Sequence, residues 1–189
     1  CGEIGVGRLM EVGNIVNSVS EMFETCSLTG KHVVVTAGPT REAIDPVRYI
    51  SNHSSGKQGY AIAEAAIEAG ARVTLISGPT NLSVPSRVEI INIESAEEML
   101  EKTLNLIETM DIFISVAAVA DFKVETPAPS KIKKTGDPNL NLVLSRTPDI
   151  LLEISKLNRR DLFTVGFAAE TENLIGNAKK KLNEKSLNL

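Results

Sequence analysis

Apolar, β-branched runs recur along the chain and are separated by segments whose apolar residues follow helical spacing. The runs lie at 32–36, 72–77 and 111–116, with a fourth at 163–168. Their continuous apolar character predicts strands of a parallel sheet that is buried on both faces. Between them, the spacing of alanine, leucine and isoleucine predicts helices over 57–69 and 96–110. This alternation, with right-handed crossovers, predicts an α/β fold: a doubly wound, mainly parallel sheet with helices on both faces.

Local signals mark the ends of two helices. Gly70 follows the first helix, at a position where glycine commonly terminates helices. Thr147, Pro148 and Asp149 predict a later helix start. In this interpretation the threonine is the cap, the proline occupies the first turn and the acid lies near the positive end of the helix dipole.

The segment 122–146 interrupts the strand–helix rhythm. It contains three prolines, and leucines then occupy every second position at Leu140, Leu142 and Leu144. Prolines favour loops, whereas strict alternation is typical of a strand with one apolar face. The segment is therefore predicted to be a loop that leads into an antiparallel arm.

Composition narrows the classes of function. The formal net charge of −4 argues against a nucleic-acid partner, because duplex binding needs a basic surface. The longest strongly apolar run, 112–120, is far shorter than the roughly 20 residues of a membrane span. Cys1 and Cys26 provide neither a disulfide framework nor a metal-ligand pattern. We therefore expect a soluble protein of the reducing cytoplasm, with no membrane partner and no side-chain metal ligands assigned.

The first predicted strand ends in the loop Gly38-Pro39-Thr40-Arg41. In open α/β sheets this end of a strand faces the ligand crevice, and the next helix opens at Ser55-Gly56-Lys57 as phosphate-binding helices do. The loop is too long for the compact glycine turn of dinucleotide-binding proteins. Gly38 is therefore a candidate phosphate or nucleotide contact, and the alternative is a turn that only reverses the chain.

Arg48 and Asn52 lie in the polar loop before that helix. Arginine can bind an anion through two N–H groups, and asparagine offers both a donor and an acceptor. Both side chains therefore suit an acyl phosphate. The alternative is that Asn52 and Ser54 only cap the following helix.

Further candidates follow the third strand and lie near the end of the chain. Small residues at 117–120 leave room for a flat ligand, and Asp121 can accept hydrogen bonds from a sugar or a base edge. Lys131 lies in a proline-flanked loop, where a lysine can stabilise charge at a reacting phosphate. Lys181 and Lys185 are four residues apart and share a helix face. For these three lysines, a solvated surface charge is the alternative.

Six motifs then point to one family. They are TAGPTRE at 36–42, DPVRYISNHSSG at 45–56, AAVAD at 117–121, KIKK at 131–134, PDI at 148–150 and GFAAET at 166–171. In this order they resemble the ligase half of the bifunctional phosphopantothenoylcysteine decarboxylase/phosphopantothenate–cysteine ligases of bacterial coenzyme A biosynthesis. The resemblance implies a Rossmann-like ligase domain over 31–189, incomplete at its C-terminus. It assigns 1–30 to a linker and the end of the decarboxylase half, whose catalytic cysteine corresponds to Cys1.

The resemblance implies a two-step ligation. The carboxylate of 4′-phosphopantothenate attacks the α-phosphorus of CTP to give an acyl cytidylate and pyrophosphate, and the amine of cysteine then displaces CMP. Because a carboxylate is already ionised at neutral pH, the first step can rely on alignment and on charge stabilisation by Mg²⁺ and a lysine. FMN is expected only for the decarboxylase half. A homodimer built through the arm at 133–146 is also implied.

The resemblance also implies roles for individual residues. The catalytic residues would be Asn52, which holds the acyl cytidylate, Lys131, which stabilises charge at the reacting centre, and Arg48, which assists the cysteine step. Substrate contacts would be Asn52, Ala117 and Lys131. The nucleotide contacts would be Gly38, Ser115, Val116, Ala117, Asp121, Lys131, Pro148, Asp149, Ile150, Leu151, Phe167, Lys181 and Lys185.

Two other classes of function stay open at this point. One is a non-catalytic Rossmann-like module that binds a nucleotide such as NAD(P), although the GxGxxG motif and an acidic residue after the second strand are missing. The other is a dimerisation scaffold whose glycine loop is structural. A scaffold would bind nucleotide weakly and release no pyrophosphate.

Overall fold

The centre of the described structure is a five-stranded parallel sheet. The computed structural model describes residues 26–134 and 139–167, together with positions 11, 14, 179, 182, 185 and 187–189. The strands of the sheet are β1 (His32–Ala37), β4 (Arg72–Ser77), β5 (Val88–Asn92), β6 (Ile112–Ser115) and β9 (Phe163–Gly166). All neighbouring pairs are parallel, so the predicted parallel sheet is confirmed.

The order of the strands in the sheet is β5-β4-β1-β6-β9, and the side on which the chain adds strands changes at β1. After β1 the chain adds β4 and β5 on one side, and it then returns to add β6 and β9 on the other side. In an open α/β sheet this reversal leaves a crevice at the carboxyl ends of the two central strands. This topology therefore favours a ligand crevice beside the ends of β1 and β6.

Helices cover both faces of the sheet, as predicted. They are α1 (Lys57–Glu68), α2 (Ala96–Asn105) and α3 (Ile150–Lys156). On one face α1 packs against Val33 and Val35, and on the other face α2 and α3 share a second core with Val34. Because successive strand side chains point to opposite faces, the three consecutive valines of β1, Val33 to Val35, are buried in these two cores. No helix in the described part of the chain has the length and apolar character to cross a membrane.

Two short antiparallel hairpins are described outside the sheet. One pairs β2 (Arg41–Ala43) with β3 (Tyr49–Ser51), and the other pairs β7 (Phe122–Val124) with β8 (Leu144–Arg146). The second hairpin confirms an antiparallel element between 122 and 146. Of the three alternating leucines, only Leu144 belongs to a strand, because pairing with β7 ends at Val124.

The cap of α3 differs from the prediction. Asp149 is the cap, and its Oδ1 accepts a hydrogen bond from the backbone N of Leu152 at 3.1 Å. The hydroxyl of Thr147 instead donates to the carbonyl of Ala120. Thr147 thus connects the start of α3 to the loop after β6, and the prediction of Thr147 as the cap was wrong.

Other boundaries also differ. The helix predicted over 96–110 ends at Asn105, where hydrogen bonds change to three-residue spacing, as in Ile107 N to Leu104 O at 3.1 Å. The strands β2, β3 and β5 were not predicted. The spacing of apolar residues over 12–23 also predicts a helix, and this segment lies outside the described residues except for position 14.

Candidate functional site

A cleft of about 820 Å³ opens at the carboxyl ends of β6 and β9. Its walls come from the loops after β3, β6 and β9, from the β7–β8 hairpin and from the starts of α1 and α3. The lining residues are Asn52, Gln58, Ser115, Val116, Ala117, Ala118, Val119, Asp121, Phe122, Arg146, Thr147, Pro148, Asp149, Ile150, Leu151, Phe167 and Lys185. The volume lies within the range of about 300–1,000 Å³ that is usual for small-molecule sites.

Two buried threonines fix the floor of the cleft. The hydroxyl of Thr36 accepts hydrogen bonds from the backbone N of Val116 at 3.2 Å and of Ala117 at 3.3 Å. The hydroxyl of Thr40 accepts one from Ala120 N at 2.9 Å. Both threonines are completely buried. The chain after β6 is therefore attached to the end of β1 and to the loop that follows it, which gives the cleft a defined floor.

Asn52 reaches the cleft from the end of the β2–β3 hairpin. Its Nδ2 donates to the carbonyl of Val119 at 2.9 Å, which anchors the side chain to the cleft floor. The N-terminal cap of α1 is Gly56, without a side-chain hydrogen bond. The alternative in which Asn52 caps α1 was therefore wrong. Ser54 keeps a local role, because its Oγ accepts a hydrogen bond from Gly56 N at 3.3 Å.

Charged side chains line the wall formed by the start of α3. Lys185 Nζ lies 2.7 Å from Asp149 Oδ2 and 2.9 Å from Oδ1. Because the same carboxylate caps α3, it holds the lysine beside the first turn of that helix. Asp121 is exposed on the cleft floor, and Arg146 is exposed on the hairpin wall. A ligand in the cleft would therefore meet cationic groups as well as carboxylates.

Most of the predicted site residues line this cleft. They are Asn52, Ser115, Val116, Ala117, Asp121, Pro148, Asp149, Ile150, Leu151, Phe167 and Lys185. Gly38, Arg48 and Lys131 are described but do not line it. Lys181 and Cys1 lie outside the described residues, so their roles stay predictions.

Gly38 turns the chain at the end of β1. Its φ of +72° is left-handed, and a Cβ at this position would lie 2.9 Å from Thr80 Cγ2 and 3.0 Å from Gly78 O. Both the backbone angle and the close packing therefore require glycine. These contacts agree with the structural alternative for this loop, and a nucleotide contact by Gly38 stays a prediction.

Arg48 and the loop that carries Lys131 meet at Asp45. Arg48 donates to Asp45 Oδ2 from Nε at 3.0 Å and from Nη2 at 2.5 Å, and Ile132 N donates to the same oxygen at 3.0 Å. The Arg48 guanidinium, helped by backbone N–H groups and opposed by burial, holds the pKa of the Asp45 carboxyl well below its usual range. Arg48 is thus engaged in an ion pair.

Sequence reasoning missed several cleft residues. They are Gln58, Phe122, Arg146 and Thr147. Phe122 and Arg146 face each other in the β7–β8 register, so a predicted pairing of these two strands would have brought both to the cleft. Gln58 lies in the first turn of α1, directly after the predicted helix start at 55–57.

The described residues contain no group of three or more histidine, cysteine, aspartate or glutamate side chains that could hold a metal ion. A magnesium ion that accompanies nucleotide phosphates needs only one or two protein carboxylates. Asp121 is a cleft carboxylate outside the Lys185–Asp149 pair, so its chemistry fits such an ion.

Comparison with a family model identifies most of the chain. Residues 28–189 match the family described as the DNA/pantothenate metabolism flavoprotein C-terminal domain. The match includes the described parts of the sheet, both hairpins and the cleft.

Individual proteins give a consistent result. The chain is 49% identical over 190 residues to the coenzyme A biosynthesis bifunctional protein CoaBC of Vibrio parahaemolyticus, covering 100% of this chain and 48% of that protein. The chain thus spans about half the length of the curated relatives it matches.

Two solved structures share the fold. The crystal structure of the C-terminal domain of CoaBC has a TM-score of 0.77 and 43% identity, and the match covers 87% of this chain and 77% of that one. A Cab2 H337A mutant has a TM-score of 0.67 and 17% identity, and the match covers 95% of this chain and 79% of that one. The first similarity extends to sequence, whereas the second concerns the fold alone.

Proposed function

Because this chain belongs to the DNA/pantothenate metabolism flavoprotein C-terminal domain family, we propose that it is a CTP-dependent phosphopantothenate–cysteine ligase domain. The observation that carries this proposal is the convergence of predicted nucleotide and substrate positions on a single cleft. Residues as distant in sequence as Asn52, Ala117 and Phe167 line it together. Cab2, which shares the fold, has been solved as a complex with phosphopantothenate-cysteine, the product that the proposed reaction forms.

The proposed reaction has two displacement steps. In the first, a carboxylate oxygen of 4′-phosphopantothenate forms a bond to the α-phosphorus of CTP, and the bond to pyrophosphate breaks. In the second, the cysteine amine forms a bond to the acyl carbon, CMP leaves with the C–O bonding electrons, and the nitrogen loses a proton. The first attack needs no strongly basic side chain, because the attacking carboxylate is already ionised at neutral pH, so positioning and charge stabilisation are the main tasks of the protein in that step.

Asn52 is proposed to hold the acyl cytidylate. Its Nδ2 is bonded to Val119 O, and within the described part of the chain its Oδ1 accepts no hydrogen bond. An anchored amide with a free acceptor can orient a ligand at low entropic cost. Ala117 also lies on the cleft floor, and it is proposed to contact the substrate together with Asn52.

Lys131 and Arg48 are proposed to act from outside the cleft lining. Lys131 is exposed in the loop after β7, and its ammonium is proposed to stabilise charge at the reacting phosphorus. Arg48 is proposed to assist the cysteine step, and its guanidinium is already held by Asp45. Both residues therefore depend on the geometry around Asp45.

The nucleotide is proposed to occupy the part of the cleft between β6 and α3. Asp121 can accept hydrogen bonds from sugar hydroxyls or a base edge, and Phe167 offers an aromatic ring that is 48% exposed. Lys185, fixed by Asp149, supplies positive charge for phosphates. When bound with the nucleotide, Mg²⁺ would neutralise phosphate charge, and Asp121 is the cleft carboxylate that would hold it, in place of a sugar or base contact.

Other parts of the proposal concern assembly and context. The arm at 133–146 is proposed to form a homodimer, because Leu140, Val143 and Leu144 expose 52%, 68% and 46% of their surface.

FMN is proposed only for the decarboxylase half of the bifunctional relatives. The proposed location is the cytoplasm.

Pyrophosphate release tests the proposed function. The chain is incubated with Mg²⁺ and 4′-phosphopantothenate, with CTP or ATP, and with or without cysteine. We expect CTP-dependent pyrophosphate in both cases and CMP with 4′-phosphopantothenoylcysteine only when cysteine is present. Nucleotide binding without pyrophosphate would support a binding module, and neither binding nor release would support a scaffold. An ATP reaction as fast as the CTP reaction would contradict the nucleotide preference alone.

A further inference from the structure

We infer that Asp45 is a positioning residue that fixes the loop carrying Lys131, and thereby sets the rate of the first chemical step. The inference rests on the proposed function for the role of Lys131. Asp45 lies outside the cleft lining, and its two oxygens are bonded to protein donors, so we expect it to act on the reaction through those donors.

The two oxygens of Asp45 perform different tasks. Oδ1 accepts hydrogen bonds from the backbone N of Val47 at 2.8 Å and of Arg48 at 2.9 Å, which closes the turn between β2 and β3. Oδ2 accepts from the Arg48 side chain and from Ile132 N. One carboxylate therefore joins the hairpin turn to a loop that lies 87 residues further along the chain.

Both backbone polar groups of Ile132 are hydrogen-bonded to residues of the hairpin turn. Its N–H donates to Asp45 at 3.0 Å, and its carbonyl accepts from Arg48 Nη2 at 3.0 Å. The first of these bonds fixes the peptide plane that joins Lys131 to Ile132, because that plane is rigid. A third bond, from Ala128 N to Ile44 O at 2.9 Å, attaches the same loop to the same hairpin.

The chemistry of the site demands a carboxylate. The Asp45 side chain has no exposed surface, and all of its described partners are donors. An asparagine would turn one of the two accepting atoms into an NH₂ group facing donors. Keeping its oxygen at the turn would place that NH₂ against Ile132 N and Arg48. The substitution D45N therefore selectively breaks the attachment of the loop while it can preserve the turn.

The same hairpin carries a second proposed catalytic residue. β3 ends at Ser51, and Asn52 follows directly and is bonded to the cleft floor. The β2–β3 hairpin therefore holds Asn52 at one end and the Lys131 loop at its turn. Asp45 contributes to this support twice, because its Oδ2 bonds Ile132 N and also holds the Arg48 guanidinium that bonds Ile132 O.

Limited proteolysis tests the attachment without using activity. Lys131, Lys133 and Lys134 are exposed trypsin sites within the loop. We expect D45N to be cut there several times faster than the unaltered chain. The matched control is D161N, which also removes a carboxylate from an aspartate–arginine pair but lies on the segment before β9. D161N should leave the cutting rate in this loop unchanged, and equal rates in D45N and the unaltered chain would overturn the proposal.

Single-turnover pyrophosphate formation tests the catalytic consequence. We expect D45N to be slower by about tenfold or more, because small displacements of a reacting group can cost up to about 10²-fold. The Kd of CTP should stay within a factor of two. In the background of K131Q, D45N should cause no further loss. An undiminished single-turnover rate in D45N, or a full additional loss in the double variant, would overturn the positioning role.

Hydrogen exchange on the unaltered chain keeps the inference testable if D45N fails to fold. The Ile132 amide should exchange much more slowly than the amides of Lys133 and Lys134, and equal rates would overturn the attachment. If K131Q proves fully active, the proposed role of Lys131 fails, whereas proteolysis and exchange still decide the attachment.

Discussion

Polar side chains have different surroundings at the two ends of the parallel sheet. At the amino end, polar side chains of neighbouring strands bond to one another. At the carboxyl end, several of them line an open cleft. The contrast separates polar residues that maintain the fold from polar residues that are available to a ligand. The first set lies at the starts of the buried strands, and the second set lies at their ends.

At the amino end, His32 and Asp111 form a closed network. His32 is 5% exposed, and its Nδ1 lies 3.1 Å from Thr109 O while its Nε2 lies 2.9 Å from Thr74 Oγ1. Asp111 accepts a hydrogen bond from His32 N at 2.8 Å and pairs with Lys31 at 3.1 Å. Each of these groups has a protein partner, so the network is structural.

At the carboxyl end, buried hydroxyl groups bond the backbone segment that carries exposed polar side chains. Thr36 and Thr40 are completely buried and bond the backbone of the cleft floor. Asn52 and Asp121 lie on the exposed side of that floor. Substitutions at this end are therefore expected to change the proposed reaction, and substitutions at the other end to change stability.

The largest effect is expected for Lys131. Lys131→Gln should lower single-turnover pyrophosphate formation by about 10²–10³-fold, because one group that stabilises developing charge commonly contributes about 3–4 kcal/mol. Lys156→Gln is the control, since Lys156 is an exposed lysine paired with Glu153 at the far end of α3. Normal turnover in Lys131→Gln would mean that Lys131 is a solvated surface charge.

A smaller effect is expected for Asn52. Asn52→Asp places a negative charge next to the proposed acyl cytidylate and should slow its conversion about tenfold, which corresponds to about 1.4 kcal/mol. The intermediate should accumulate in quenched single-turnover samples. Asn105→Asp, an exposed position at the end of α2, is the matched control. Unchanged kinetics would show that Asn52 has no role in the proposed reaction.

The sequence predicted the strands that form continuous apolar runs and missed β2, β3 and β5. Val33, Val34 and Val35 read as one apolar run because each face of β1 is covered by helices. In β5, Glu89 and Asn92 are exposed at the edge of the sheet and interrupt the pattern. The three-residue strands β2 and β3 depend on tertiary contacts, which no local pattern encodes.

The candidate site shows the same division. Ala117 and Asp121 could be placed at the cleft because parallel strands end at one edge of a sheet. Arg146 reaches the cleft only through antiparallel pairing with β7. The contact between Asp45 and Ile132 joins segments that are distant in sequence, so periodicity and spacing could not predict it.

At the amino end, the loss of a buried partner should affect stability alone. His32→Leu leaves Thr109 O and Thr74 without their ring partner and should lower the free energy of unfolding by about 1–3 kcal/mol. The Kd of CTP should not change. His53→Leu alters the other, exposed histidine and should stay within about 0.5 kcal/mol of the unaltered chain in chemical denaturation. A weaker Kd in His32→Leu would contradict the separation of the two ends.

The smallest effect concerns acid pH at the same end. The backbone N–H of His32, followed by the Lys31 ammonium, lowers the pKa of Asp111 from its ordinary 3.8. Because the folded-state pKa is the lower one, Asp111 stabilises the fold fully above the ordinary value, and this contribution disappears as pH falls through the folded value. Asp111→Asn should therefore be less stable than the unaltered chain at pH 7, and urea midpoints of the two should converge below about pH 4. A constant difference down to low pH would show that the carboxylate charge contributes nothing, and that the hydrogen bonds at the amino end act through geometry alone.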